Sequence, residues 1–504
     1  MSESFGKHVS AWLEPEGERP RRPPLGADTR TEVAVVGGGI VGLTTALRLA
    51  EAERSTVLVD QSAIGSGTTG HSTAKVTSQH GLTYATLLGR YGEDGARVYG
   101  RANEEAKEEI VARAAAGPDC GLRRRDAWVY ATDGADRAML DAEHAATRQA
   151  GLPARLADEV PLPFTTAGGL VFADQAEFDP QRYLLGLAER FEAAGGRIHE
   201  DTRATTVSDG RPVRVVTEGG CIEAEQVVIA TLIPFLDRGA FFARAFPSRS
   251  YCITAAVAGA PPDAMLITAK QPIRSIRSIS HPRGELLMIG GESHHTGSGD
   301  ADPERYRRLA EFAHRHWDVE AIEHHWSSQD FSAADGVPYV GRLHPLTRRI
   351  WTATGMKKWG ITNGTVAAAI ISDGILGREH PAASLFSSTR ASIRELPKLA
   401  LENSKVPLHF VGDRITKPGR RPIEDLAPGE GAIVSAGGEK VAGYRDDDGR
   451  LHAVSATCTH LYCQVNWNRA ERTWDCPCHG SRFAVDGGIL NGPAVEPLGP
   501  RSTG

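Results

Sequence analysis

Thr31-Glu-Val-Ala-Val-Val36 runs directly into Gly37-Gly-Gly39-Ile-Val-Gly42, and this junction constrains the fold more than any other stretch of the chain. The first segment is short, apolar and β-branched, so it reads as a buried strand. Leu43-Thr-Thr-Ala-Leu-Arg-Leu-Ala50 follows with apolar residues at helical spacing, and Thr56-Val-Leu-Val59 is a second strand ending in Asp60. Strand, glycine turn, helix, strand and terminal acid make the βαβ fingerprint of a dinucleotide site. The glycines let backbone approach a pyrophosphate at the helix N-terminus, where unpaired N–H groups and the dipole favour anions. Asp60 is placed to accept from ribose hydroxyls. An α/β Rossmann-type domain is expected, with Gly37, Gly39, Ile40, Val41, Gly42, Asp60 and Gln61 at the nucleotide.

The opposite end of the chain carries different chemistry. Cys458-Thr-His460-Leu-Tyr-Cys463 and Cys476-Pro-Cys478-His479-Gly-Ser481 place one Cys–His pair in each of two loops. Two thiolates and two imidazoles suit a 2Fe-2S cluster with Cys on one iron and His on the other. The same four groups also suit tetrahedral zinc, although zinc fingers usually set their two histidines together. This region closely resembles a Rieske domain, including the turn Gly492-Pro493-Ala494 after the second loop. The resemblance implies Cys458, His460, Cys476 and His479 as cluster ligands, in a small all-β domain. In Rieske proteins of respiratory complexes the pair matching Cys463 and Cys478 forms a disulfide; two free thiols are the alternative, because disulfides are uncommon in a reducing cytosol. The family also implies a bond from the Ser481 hydroxyl to a cluster sulfur. Phe483 stands where high-potential members have tyrosine, so a potential below that of the respiratory proteins is expected.

Beyond Asp60 the chain reads Ile64-Gly-Ser-Gly-Thr-Thr-Gly70-His71-Ser-Thr-Ala-Lys75, which resembles the second flavin contact of the D-amino-acid oxidase and glycine oxidase superfamily. Phe178-Asp-Pro180, Val227-Val-Ile-Ala-Thr231, Asp335-Gly-Val-Pro-Tyr-Val-Gly341 and Thr354-Gly355-Met-Lys-Lys-Trp-Gly360 continue the match in the family's order. The resemblance implies FAD, with an inserted mixed-sheet substrate domain over it. It carries Thr69, His71, Ser72, Thr73, Val207, Thr231, Gly355, Lys358, Trp359, Gly360 and Thr362 to the cofactor. Thr231-Leu232 departs from the family's Thr-Gly. Some amine dehydrogenases of the superfamily bond a histidine of this loop covalently to flavin; for His71 a hydrogen bond or a water-facing position is the alternative.

A chain of 504 residues accommodates both motif sets as separate domains. The expected division is a flexible tail at 1–30, an oxidoreductase at 31–405, a linker at 406–424 and a Rieske domain at 425–504. Within the second, the FAD-binding part is expected near 31–88, 161–234 and 331–380, and the substrate part near 89–160 and 235–330. A formal net charge of −6 argues against nucleic acid as a partner. No apolar run is long enough for a membrane span, and no secretory h-region opens the chain. A cytoplasmic protein is expected.

The order of the whole chain resembles a bacterial family in which a glycine-oxidase-like flavoprotein carries a C-terminal Rieske domain. That implies oxidation of a C–N bond in an amine or amino acid, with electrons exchanged between FAD and the cluster and then with an unidentified redox partner. Lys358, Tyr251 and Arg277 are the candidate catalytic residues, with Arg249 and Arg274 as further carboxylate anchors. A monooxygenase whose FAD is reduced through the cluster, and a redox sensor or carrier without turnover, are the alternatives.

Overall fold

The computed structural model describes residues 5–14, 21–298, 301–390 and 421–503. A short helical stretch expected at Ser392-Ile-Arg-Glu-Leu, the segment Pro407-Leu-His-Phe-Val-Gly412 that follows it and most of the 406–424 linker lie outside the described residues.

The βαβ reading holds. Thr29–Val36 pairs in parallel with Gly220–Ile229 on one side and Thr56–Val59 on the other, setting Val35 between Val228 and Leu58. Arg197–His199 extends one edge, and Ile350–Thr354 with antiparallel Tyr339–Arg342 extends the other. Central parallel strands are covered on both faces, which is why they read as near-continuous apolar runs. Ile40–Glu51 starts immediately after the glycine turn, and Gly360–Ile375 packs beside it, with Gly364 close against Ile40. Asp179 caps Pro180–Ala193 by accepting from the Gln181 and Arg182 amides, with proline inside the first turn.

A second, nine-stranded mixed sheet stands over this layer, built mainly from Ala245–Val257, Gly284–His295 and Val319–Ala333. Gly169–Glu177, expected in the nucleotide-binding part, belongs instead to this sheet, antiparallel to Arg123–Tyr130. Its register sets Val171 opposite Trp128, and both are buried in one core with Tyr130 and Tyr251. Lys75–Val76 likewise joins the second sheet, antiparallel to Gly169–Glu177.

The expectation of a flexible tail is corrected over its described part. Lys7 N donates to Glu323 O, and His325 N donates to Lys7 O. Trp12 is buried, and Glu14 accepts from His324 Nε2 at 2.7 Å. An indole and a row of backbone hydrogen bonds leave this segment strapped to the second sheet.

Residues 421–503 form an antiparallel β domain. Gly431–Ala436, Glu439–Arg445 and Leu451–Ser455 make one sheet, and Asn466–Asn468, Thr473–Asp475, Arg482–Phe483 and Ile489–Asn491 make another. The domain rests on the second sheet of the flavoprotein body. Buried Arg249 faces Glu471 at 3.4 Å, and Tyr306 Oη donates to the same carboxylate at 2.6 Å.

Candidate active site and cluster pocket

A cavity of about 500 Å³ runs from Gly37 and Asp60, past the 65–75 loop, to Tyr251 and Lys358. At its near end Gly39 caps the helix without a side-chain hydrogen bond, leaving that end to an anion. A Cβ at Gly42 would lie 1.9 Å from Gly37 O, so only glycine allows the helix to sit this close to the turn. Asp60 accepts from Gly38 N at 2.6 Å and Ser62 N at 2.8 Å, while burial lifts its carboxyl to about 6.

Five consecutive carbonyls of the 65–75 loop are each held by a donor from outside it. Ser10 Oγ donates to Gly70 O, Trp326 Nε1 to His71 O and Trp12 Nε1 to Ser72 O. Arg277 Nη1 donates to Thr73 O at 2.7 Å and Ala74 O at 2.8 Å. The loop is thus fastened from behind by the N-terminal strap and two strands of the second sheet.

At the far end Met356-Lys-Lys-Trp359 makes a turn in which Lys357 (φ 55) and Lys358 (φ 68) are both left-handed, a strained conformation for residues with a Cβ. The Lys358 amide donates to Asp330, and its Nζ donates to Ser293 Oγ at 2.7 Å. Lys358 is an exposed residue that lines the cavity, and desolvation there lowers its ammonium to about 8 despite Asp330 nearby. Lys75 also lines the cavity, donates to Leu266 O at 2.7 Å, and is lowered to about 7 by burial. Burial holds His294 down to about 4; its Nδ1 faces the His295 carbonyl, so its Nε2 is left to accept from Tyr251 Oη at 3.0 Å. Tyr251 therefore presents oxygen lone pairs, and not its proton, to the cavity.

The cluster pocket lies beside this cavity. Cys458 and Cys476 are buried, and the Cys458 thiol is lowered by hydrogen bonding to Cys476. Burial depresses His479 to about 3, with His460 adding to the effect. His460 and His479 meet edge to face with ring centroids 5.1 Å apart. His460 Nδ1 is buried and has no hydrogen-bond partner among the described residues, so it is free to serve as a ligand atom. Cys463 and Cys478 are bonded to each other beside Cys476. That bond takes Cys463 and Cys478 out of any ligand set, leaving a Cys–His pair on each loop. Two sulfurs and two neutral nitrogens fit a His-ligated two-iron cluster. Ser481 Oγ, within reach of Cys458, accepts from Ala494 N at 3.0 Å.

A model of the family described as FAD dependent oxidoreductase matches residues 32–373. The chain belongs to the FAD dependent oxidoreductase family. Residues 421–500 of this FAD dependent oxidoreductase match the Rieske [2Fe-2S] domain. It is 36% identical over 483 residues to the Bacillus subtilis (strain 168) protein YhfW, named as a Rieske 2Fe-2S iron-sulfur protein, with 95% of each chain covered. Its fold is similar to that of glycine oxidase from Geobacillus kaustophilus, with a TM-score of 0.61, 22% identity, and coverage of 72% of this chain and 99% of that one. L-proline dehydrogenase from P. horikoshii is similar in fold at a TM-score of 0.60 and 17% identity, covering 72% and 98%. At these identities the likeness to solved structures shows the fold. The protein is an enzyme with FAD and a Rieske 2Fe-2S cluster as its prosthetic groups. Among the described residues no helix is long and apolar enough to cross a membrane.

Most residues singled out in the sequence of this FAD dependent oxidoreductase reach the cavity. Gly37, Gly39, Ile40, Val41, Asp60, Gln61, Thr69, His71, Ser72, Thr73, Thr231, Tyr251, Lys358, Trp359 and Gly360 line it. Seven expected at the flavin or the substrate do not, each for a local reason. Gly42 is turned onto Gly37, Gly355 lies against Ala333, and Val207 is wholly inside the core. Thr362 Oγ1 donates to Thr77 O, beside a His80 ring stacked on Trp359. Arg277, expected as a catalytic residue, is buried, paired with Glu177 at 3.0 Å and turned onto the loop carbonyls. Arg274 and Arg249, expected as carboxylate anchors, are paired with Glu292 and Glu471. His71 Nδ1 donates to Gly67 O at 2.9 Å, which fixes its ring at the cavity wall. Leu232 is left-handed (φ 68), the conformation glycine adopts freely, so the departure at this position is carried as strain. Asp330 lies outside every motif, Lys75 closes the flavin-contact loop without a role read for it, and His294 is ambiguous beside His295 in the sequence; each acquires its role through burial.

Proposed function

We propose that the protein oxidises the C–N bond of an amine or amino acid at FAD and passes electrons, one at a time, to a Rieske cluster held by Cys458, His460, Cys476 and His479. FAD supplies hydride acceptance when bound, and the cluster supplies one-electron acceptance. The chain's own residues do the positioning. Tyr251 offers an acceptor to the amine N–H, its own proton being committed to His294. Lys358, protonated below about 8, attracts a substrate carboxylate. Ile489, Asn491 and Val495 of the Rieske domain line the same cavity and limit entry of water.

One observation carries this reading: the cluster loops are seated on the strands that wall the cavity. Gln329 Nε2 donates to Gly480 O at 2.7 Å while its neighbour Asp330 binds the Lys358 amide. His295 Nε2 donates to Pro477 O at 2.8 Å while its neighbour His294 binds Tyr251. Two structural neighbours, named as a glycine oxidase and an L-proline dehydrogenase, support the substrate class. The test is anaerobic addition of an amine and amino-acid panel to holoprotein. Flavin bleaching followed by the electron paramagnetic resonance of reduced cluster is expected. Bleaching with no amine, but flavin reduction when electrons are fed through the cluster, would favour a monooxygenase and sink the dehydrogenase reading.

A further inference from the structure

Asp237 belongs to the flavoprotein body, in the short turn Asp237–Gly239, yet its side chain ends on the Rieske domain. Its Oδ1 lies 2.7 Å from His460 Nε2. A carboxylate has no proton to give, so Nε2 donates and Nδ1 keeps its lone pair. Nδ1 is the buried, unpartnered atom of the cluster pocket. The tautomer fixed from outside the domain is thus the one a neutral imidazole needs to bind iron through Nδ1.

The surroundings enclose the ring more than the carboxylate. The His460 side chain is 5% exposed and that of Asp237 52%, so the 2.7 Å contact itself is direct while water reaches the outer side of the carboxylate. Phe242, in the adjoining turn Phe241–Ala243, sets its ring against both histidines, 5.5 Å from His460 and 5.0 Å from His479. The same stretch of chain starts at Thr231, Leu232, Ile233 and Phe235 on the cavity wall. A few residues therefore connect the flavin cavity to the histidine edge of the cluster pocket.

We propose that Asp237 is a positioning residue that sets the reduction potential of the cluster from outside the Rieske domain. It orients His460 and favours the oxidised cluster, so the potential depends on how the domain is docked. Reduction adds one electron to the cluster without making or breaking a bond, and a fixed anion one imidazole away opposes that added charge. The proposal rests on the assignment of His460 as a ligand made above, but not on the identity of the substrate.

Full-length holoprotein is titrated with dithionite through redox mediators, and the reduced cluster is followed by electron paramagnetic resonance. Asp237→Asn and Asp237→Ser remove the charge in side chains of different size. In both, the ratio of reduced to oxidised cluster at a fixed solution potential rises about tenfold, equivalent to about 59 mV for one electron. Asp237→Glu, which keeps the charge, stays near wild type. Ratios unchanged in both neutral variants overturn the proposal. The titration needs no amine, so wild-type protein with a normal cluster signal but no amine-dependent bleaching defeats the C–N reading alone. Wild-type protein without an iron–sulfur signal ends both.

Discussion

Around the flavin cavity the chain turns backbone toward the cofactor and fastens it from behind with distant side chains. Around the cluster pocket, side chains face inward from two neighbouring loops. Gly37 and Gly42 are needed in the turn at the flavin cavity for what they lack, since a Cβ on Gly42 would lie 1.9 Å from a carbonyl. Cys458, His460, Cys476 and His479 are needed for atoms that only they supply. The glycine turn at the cofactor end of the cavity should therefore be sensitive to volume, and the cluster pocket to functional group.

The sharpest way to break this contrast is a pair of variants. Cys458→Ser should reduce cluster iron to background while flavin absorption stays, and Gly42→Val should strip FAD while iron stays; metal analysis and visible spectra read both. Loss of both groups in either variant would mean that the two sites assemble as one unit. Arg249→Ala comes next, because it removes the buried guanidinium paired with Glu471 between body and domain and leaves that carboxylate only Tyr306 and His8. Removing one member of a buried pair costs about 3–5 kcal/mol, so thermal unfolding should show the Rieske domain separating first.

Lys358 sharpens the contrast by pH. Its ammonium is lowered to about 8, so the charge is present below that pH and lost above it. The KM for a carboxylate-bearing amine should rise as pH passes about 8, and Lys358→Met should show a flat profile with KM raised roughly tenfold at pH 7. A KM in the variant that still rises through pH 8 would assign the titration elsewhere. Phe483→Tyr adds one hydroxyl to a fully buried ring near the cluster, and the reduction equilibrium should move up by a factor of ten at most, about 59 mV. The smallest effect is expected from Trp12→Phe, which removes one donor from the carbonyl of Ser72. A single neutral hydrogen bond is worth about 1 kcal/mol, so FAD should bind roughly fivefold more weakly by fluorescence titration.

The sequence disclosed the two centres to different depths for the same physical reason. Cluster ligands are specified by element type at short spacing, so Cys458-x-His460 and Cys476-x-x-His479 could be read directly. The glycine turn was legible because only glycine allows that approach. The strap was not, since any N–H or O–H satisfies a carbonyl, and nothing in Ser10 or Trp12 announces Gly70 or Ser72. Arg277 misled for a related reason: its planar fork matches a carboxylate, but here it closes on Glu177 and two loop carbonyls. Gly169–Glu177 belongs to a different layer from the one expected because a buried strand carries no mark of the sheet it will join. Asp237 sits in a turn without a motif, and its partner lies beyond the reach of any spacing rule.

In two separate strands, adjacent residues serve different centres: His294 and Asp330 on the flavin side, His295 and Gln329 on the cluster side. Consecutive residues of a strand point to opposite faces, so inserting or deleting one residue exchanges the two assignments together. Diversification of substrate preference in such a protein must then proceed by replacing side chains at constant strand length. Changes in length are confined to connecting segments, where neither inventory of contacts is disturbed.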